Sequence, residues 1–402
     1  MASLPDVEAL EKPNGERLAP HEAVMGKPPG GYRASDTERR LRWLERHTGR
    51  RLQENVSPRP EELRGIIENH VGYVPIPQAI AAPLLIEGTH ANGEFAVPLC
   101  TVEGTLVLSM TRGMLAIAMA GGCRTVHVRQ ELSRCPAFIL PDVAEMRSFM
   151  TWVDENYESI RAHAESTTRH GRLLRIEKYP VQNWLVLDFV YDTGNAAGQN
   201  MVTIATDTAC RAISEQTGRR YFLESGFNGD KKPTRRNLMS GRGHAVIVEF
   251  ELPEHVLSFL GITRESVLEF QDMAVTAAQA VGMLGNNLHL ANALTAIYLA
   301  TGQDAACVAE NSLAYSQART TPAGLTCRMT LPSLTVGTVG GGTRLPAQQR
   351  NLELLGCVEG PFAARKLAEI IAAAAAAIEL SLMAAIVAGD FRQAHQRYGR
   401  PS

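Results

Sequence analysis

The stretch FQDMAVTAAQAVGMLGNNLHLANALTAIYLAT, residues 270–301, is largely apolar and reads as one long helix, interrupted only by Asn286, Asn287, His289 and Asn292. A helix apolar on all sides is normally buried in a large core. Polar groups midway along it must find partners there, so they belong to a structural network or to an active site. The expected fold is therefore α+β, with a large domain built around a long buried central helix.

C-terminal to it come the strand-like TCRMTLPSLTVGTV (326–339), a Gly340-Gly341-Gly342-Thr343 turn and an Ala-rich helix near the end of the chain. The apolar run from Ile370 to Ala388 is almost long enough to span a bilayer. Six consecutive alanines make it weakly lipophilic, and Glu379 at mid-span would cost about 3 kcal/mol. A helix packed tightly inside a soluble, cytoplasmic protein is expected, with no membrane partner.

N-terminal to the long helix, residues 136–222 read as a separate α/β unit. Val143–Ala164 is helical, LLRIEKYP (173–180) and NWLVLDFVYD (183–192) are strands, and Asn200–Thr217 is a helix. A small split β-α-β, ferredoxin-like insertion fits that order. Before it lie two Pro-broken apolar segments, VGYVPIPQAIAAPLLIEG (71–88) and FAVPLCTVEG (95–104), and a helix with small residues on its packing face, Leu106–Gly121. Residues 1–35 read as a mobile arm, Asp36–Leu44 as a capped helix, and Pro58 and Pro60 open a second helix toward Glu68. The expected division is an N-terminal arm and helical region at 1–71, a large domain from 72–135 plus 223–402, and the insertion at 136–222.

The 402 residues carry 40 Lys+Arg against 42 Asp+Glu, a formal charge of −2, so nucleic-acid backbone is not the expected partner. Seven cysteines at scattered positions make no disulfide scaffold, and no C-x-x-C or H-E-x-x-H metal pattern occurs. Free, mostly buried thiols in a reducing compartment are expected, with no metal. The N-terminal twenty residues carry Asp and Glu without an apolar core, unlike a signal peptide. Neither the Rossmann fingerprint nor the P-loop is present, so any dinucleotide site is of another kind.

Four features could carry chemistry: Glu103 between an apolar strand and a helix start, the Asp230-Lys231-Lys232-Pro233 loop, Asp304 after the long helix, and His395 in the polar tail. Singly, each has an ordinary structural explanation. As an ordered set with ENHVGYVPIP (68–77), TVEG (101–104), GRG (241–243), HLANALTAIYLATGQDAA (289–306), LPSLTVGTVGGGT (331–343) and ELSLMAA (379–385), they resemble 3-hydroxy-3-methylglutaryl-CoA reductase over residues 36–400. DKKP and GRG standing together before the long helix resemble the class I enzymes most.

The resemblance implies an NADPH-dependent, four-electron reduction of 3-hydroxy-3-methylglutaryl-CoA, or a related acyl-CoA, to mevalonate and CoA through a hemithioacetal and mevaldehyde. Glu103 matches the family's acid, Lys231 its oxyanion lysine, Asp304 its supporting carboxylate and His395 its tail histidine. Burial and Asp304 would keep Glu103 protonated, with Lys231 opposing. Arg134, Ser225, Lys232 and Asn292 match contacts to the acyl group. Thr168, Arg169, Asn195, Gly198, Asn200 and Arg400 match cofactor contacts, and the two arginines favour NADPH over NADH. The active site is implied to form across a homodimer, or a higher even oligomer.

Departures from the family pattern bear on specificity. Its Asp-Ala-Met-Gly-x-Asn motif reads Asn195-Ala196-Ala197-Gly198-Gln199-Asn200, losing a carboxylate. In the loop LESGFNGDKKP, either Ser225 takes the substrate-binding serine's role or Glu224 stands in its place, where it would repel an anionic acyl group. Two alternatives to the main reading follow: reduction of a different acyl thioester in a dedicated biosynthetic pathway, or a non-catalytic cofactor- and thioester-binding protein.

Overall fold

The computed structural model describes residues 25–50, 52 and 57–389. Met25 and the helix α1 (Ala34–Thr48) form a small apolar cluster with Ala82, Ala96 and Leu354. Part of the expected mobile arm is thus docked, with the Met25 N–H donating to Glu94 at 3.1 Å. The helix expected from Pro60 is one short 3-10 turn, Pro60–Leu63.

Strands β1 (Gln78–Gly88) and β2 (Asn92–Cys100) form a hairpin, followed by α2 (Leu106–Met119) and β3 (Cys123–Arg134). The extended segment begins later than expected, because residues up to Pro77 are exposed. Then come β4 (Ala137–Ile139), α3 (Val143–Glu155), α4 (Tyr157–Glu165), β5 (Arg172–Val181), β6 (Trp184–Asp192), α5 (Gln199–Thr217) and β7 (Tyr221–Phe222). The single helix expected over 143–164 is therefore two, parting at Asn156, whose amide side chain bonds back to the Trp152 carbonyl. The chain continues through α6 (Arg235–Ser240), β8 (Gly243–Pro253), α7 (Glu254–Leu260), α8 (Arg264–Ala280), α9 (Leu290–Thr301), α10 (Val308–Asn311), β9 (Tyr315–Thr321), β10 (Gly324–Leu334), α11 (Pro346–Leu354) and α12 (Ala363–Val387).

β3 joins the two halves of the molecule. Its residues 124–131 pair antiparallel with β8, in a sheet that continues to β10 and β9. Residues 132–134 pair instead with β6, which carries β5 along one side and β4 along the other. Two apolar cores lie on either side of this passage. The larger gathers α2, α9, α12 and the β8–β10 face, and the smaller gathers Leu132, Phe138, Phe149, Leu187, Val202 and Ile213.

The long helix expected over 270–301 is broken. Residues 281–289 are irregular between α8 and α9. At Gly285 the backbone has φ +87°, and a Cβ there would sit 2.2 Å from the Ala314 carbonyl oxygen. Asn286 bonds both backbone groups of Ser316 on β9, and Asn287 donates to the Ser312 carbonyl at 3.0 Å. These asparagines thus belong to a structural network that fastens a turn.

The long buried helix is α12, the one helix among the described residues long and apolar enough to cross a membrane, and it is sunk in the larger core. Its alanines allow close packing: a Cβ on Gly113 of α2 would lie 1.8 Å from the Ala377 carbonyl oxygen. Glu379 accepts the Leu288 and His289 N–H groups at 2.6 and 2.7 Å, fastening the two residues that precede α9 to another helix. Glu369 does the same for His90 and Ala91 in the β1–β2 turn. All seven cysteines are free and buried.

Candidate active site

Lys231 stands in the loop between β7 and α6 at φ +56°, a left-handed conformation that costs a non-glycine residue of order 1–3 kcal/mol and must be held from outside. Its N–H donates to Glu310 at 2.8 Å. Glu310 is fully buried, paired at 2.7 Å with the equally buried Arg242 and bonded by the Thr335 hydroxyl at 2.6 Å. Arg242 also reaches Asp230 at 3.4 Å and the Gln199 side-chain carbonyl at 2.6 Å. Asn237 closes the loop by donating to the Gly229 and Lys232 carbonyls. The strained backbone is thus fixed by a buried ion pair.

The ammonium so presented lies 2.8 Å from Asp304. The hydrogen bond to Asp304 raises the Lys231 pKa, so the cation is firmly charged. Asp304 is oriented in turn by the Ala306 N–H at 3.0 Å, at the start of a 3-10 turn. Lys232 points elsewhere, its ammonium on the Asp230 carbonyl oxygen.

Glu103 sits in the turn between β2 and α2, where its N–H bonds the Thr101 hydroxyl. The Asn292 amide donates to its carboxylate at 2.9 Å. Glu103 is exposed, so the expected burial is absent from the single chain. Asn292 lies in the first turn of α9, whereas Asp304 follows that helix's C-cap, Gly302. Lys231–Asp304 and Glu103–Asn292 therefore stand at opposite ends of α9, and no hydrogen bond or ion pair among the described residues links them.

At the end of β3, the buried Arg134 guanidinium pairs through Nη1 with Glu224, and with Asp230 at 3.4 Å. Ser225 turns away, its hydroxyl donating to the Cys135 carbonyl at 2.7 Å. Of the two candidates for that loop position, Glu224 is the one on Arg134.

The residues matched to the cofactor gather at the start of α5. Thr168 receives the His170 and Gly171 N–H groups and touches Met201 Sδ at 3.2 Å, which seats the Thr168–Gly171 loop on the first turn of α5. Arg169 on that loop and Asn200 on that turn are exposed. Gly198 at φ +83° starts the helix without a side-chain cap, leaving its first N–H groups to an outside acceptor. An exposed guanidinium beside such a terminus fits an anionic dinucleotide. Asn195 has a different occupation: it donates to the Gly360 carbonyl and accepts the Ala364 N–H, tying this loop to the start of α12. The Gly337-Thr338-Val339 stretch pairs with the same loop by backbone, and a Cβ on Gly337 would strike the Ala197 nitrogen at 2.2 Å.

Sequence reasoning passed over Gln199 and Glu310. Gln199 ties the first turn of α5 to Arg242 and Asp230, linking the candidate cofactor helix to the lysine loop. Its place within the altered Asn195–Asn200 motif was the only available signal. His395 and Arg400 lie outside the described residues. No group of three or more His, Cys, Asp or Glu side chains suited to a metal occurs among those described.

Residues 36–400 match the family profile of hydroxymethylglutaryl-coenzyme A reductase. The chain is 39% identical over 376 residues to the 3-hydroxy-3-methylglutaryl-coenzyme A reductase of Methanocaldococcus jannaschii, covering 90% of this chain and 93% of that protein. It is 42% identical over 379 residues to the Pyrococcus horikoshii protein of the same name, covering 90% and 91%. The Drosophila melanogaster protein is 38% identical over 366 residues, which are 85% of this chain but 38% of the fly protein. Among solved structures, the class II enzyme of Streptococcus pneumoniae, bound to NADPH in open conformations, superposes with a TM-score of 0.67 at 20% identity, covering 86% and 92%. At that identity the likeness speaks for the fold alone.

Proposed function

The chain belongs to the hydroxymethylglutaryl-coenzyme A reductase family, and from that premise we propose that it reduces the thioester of 3-hydroxy-3-methylglutaryl-CoA to mevalonate, consuming two NADPH and releasing CoA. The observation that carries the reading is the Lys231 ammonium, charged by its 2.8 Å pairing with Asp304 and aimed by a buried ion pair. Charge that develops on a thioester or aldehyde oxygen needs a fixed cation of this kind.

NADPH, when bound, supplies hydride, and the residues placed to hold it are Thr168, Arg169, Gly198 and Asn200. Lys231 stabilises the oxyanion at each reduction, and Asp304 keeps its ammonium oriented. Glu103, held by Asn292, donates the proton that completes the alcohol. His395 protonates the departing thiolate, a task suited to an imidazole. Arg134 lies at the acyl end. Arg169, an exposed guanidinium, favours a 2′-phosphate and hence NADPH over NADH.

A homodimer completes this site. Division of the catalytic groups between the two ends of α9 supports a partner's Lys231 meeting Glu103 and supplying its burial. Val71, Val74, Val102 and Val281 are almost wholly exposed, as unfilled interface positions would be. The class I assignment rests on DKKP (230–233) and GRG (241–243) standing together in the chain. A cytoplasmic, soluble protein agrees with the buried α12 and the free thiols.

NADPH oxidation with 3-hydroxy-3-methylglutaryl-CoA tests the reading. Lys231→Ala is expected to lower kcat by about 10²–10³-fold, the loss typical of removing one oxyanion donor. An unchanged kcat would remove Lys231 from the chemistry.

A further inference from the structure

The reading of Arg134 as the residue at the acyl end of a thioester substrate has a consequence for what that end can be. We infer that Glu224 sets the charge preference of this subsite: its carboxylate occupies Arg134 and disfavours an acyl chain ending in a carboxylate relative to one ending in a neutral group.

Three observations support the inference. First, one end of the Arg134 guanidinium is already paired with carboxylates, while its buried Nε has no partner. Glu224 and Asp230 both approach its Nη1, and the guanidinium is buried, so their attraction is weakly screened. Second, Glu224 is held in place from both oxygens. Its Oε1 accepts the Gly226 N–H at 2.7 Å, and Asn228, itself buried, lies 3.5 Å from Oε2. Third, carboxylates crowd this loop system: Glu224 and Asp230 approach Arg134, Asp230 and Glu310 approach Arg242, and Asp304 holds Lys231, while the Lys232 ammonium rests on a backbone carbonyl.

A substrate carboxylate entering here must displace Glu224 from the Nη1 of Arg134 or sit beside its negative charge. A hydroxyl or methyl terminus meets neither penalty. With Ser225 spent on the Cys135 carbonyl, the loop offers no neutral hydroxyl in its place. Glu224 is thus a specificity-determining residue that acts through Arg134, and the reaction chemistry is untouched by it.

The test compares 3-hydroxy-3-methylglutaryl-CoA with 3-hydroxy-3-methylbutyryl-CoA, the same skeleton with a methyl group in place of the carboxymethyl arm. Dissociation constants are measured by calorimetry and kcat/KM with NADPH, for wild type, Glu224→Gln and Glu224→Ser. Gln retains an acceptor for Gly226, and Ser provides an independent variant at an exposed position. In both, the Kd of the carboxylate thioester relative to the neutral one should fall at least about tenfold, equivalent to about 1.4 kcal/mol. A ratio within twofold of wild type in both variants would overturn the inference. Absence of turnover with either thioester in wild type would instead count against the proposed function, while the Kd ratios still decide the role of Glu224.

Discussion

At the scale of single residues, the candidate site presents a lysine held in an unfavourable backbone conformation. Lys231 is held at φ +56° because its N–H meets Glu310, and Glu310 is itself held in the core by Arg242 and Thr335. Removing one member of such a buried pair leaves the other charge uncompensated, at about 3–5 kcal/mol. Glu310→Gln is expected to lower the unfolding free energy by that order, read by urea denaturation, and to reduce kcat as the loop relaxes. The double variant Glu310→Leu with Arg242→Met should recover much of the stability without recovering kcat. Recovery of both would mean that the pair does not position Lys231. Glu103, Lys231 and Asp304 were legible as candidates because each stands in a short, distinctive motif. Glu310 was not, since its partner lies 68 residues away and a lone Glu carries no local sign of burial.

At the scale of elements, the helices were legible from apolar periodicity and their ends were not. The stretch over 270–301 keeps its apolar content through Met283 and Leu284, which hides a turn built by Gly282, Gly285 and two asparagines. The Glu379 carboxylate on α12 fastens the two residues before the helix restarts at Leu290, a tertiary contact that no local pattern shows. Burial raises the Glu379 pKa from 4.5 to about 7, with the two N–H donors opposing. The folded state therefore holds this proton more tightly than the unfolded chain. Its stabilising contribution is complete below about pH 4.5 and is lost as pH rises through about 7. A shift of that size corresponds to roughly 3 kcal/mol. Relative to Glu379→Gln, wild type should lose about that much unfolding free energy between pH 4.5 and 7. A pH-independent difference between the two proteins would show that the carboxylate is already solvated.

At the scale of the whole molecule, two apolar cores share strand β3, and Arg134 at its end meets the Lys231 loop through Asp230. The helix and strand order of residues 136–222 was readable in the sequence, but the continuity of the backbone through β3 was not. Pairing of distant strands leaves no trace in local periodicity. The separation of Glu103 from Lys231 along α9 gives the assembly a sharp test. Glu103→Gln and Lys231→Ala, each inactive alone, should recover about a quarter of wild-type activity when unfolded and refolded together, if one intact site forms per mixed two-fold dimer. No recovery, with mixed dimers demonstrated, would place both groups in one protomer's site. The central claim, a four-electron reduction of a thioester, is tested most directly by stoichiometry. Purified protein is given limiting 3-hydroxy-3-methylglutaryl-CoA and excess NADPH, and oxidised cofactor is counted against free CoA thiol. The account predicts two NADPH consumed for each thiol released, with mevalonate as the product. One NADPH per thiol with an aldehyde accumulating, or thiol release without NADPH consumption, would contradict it.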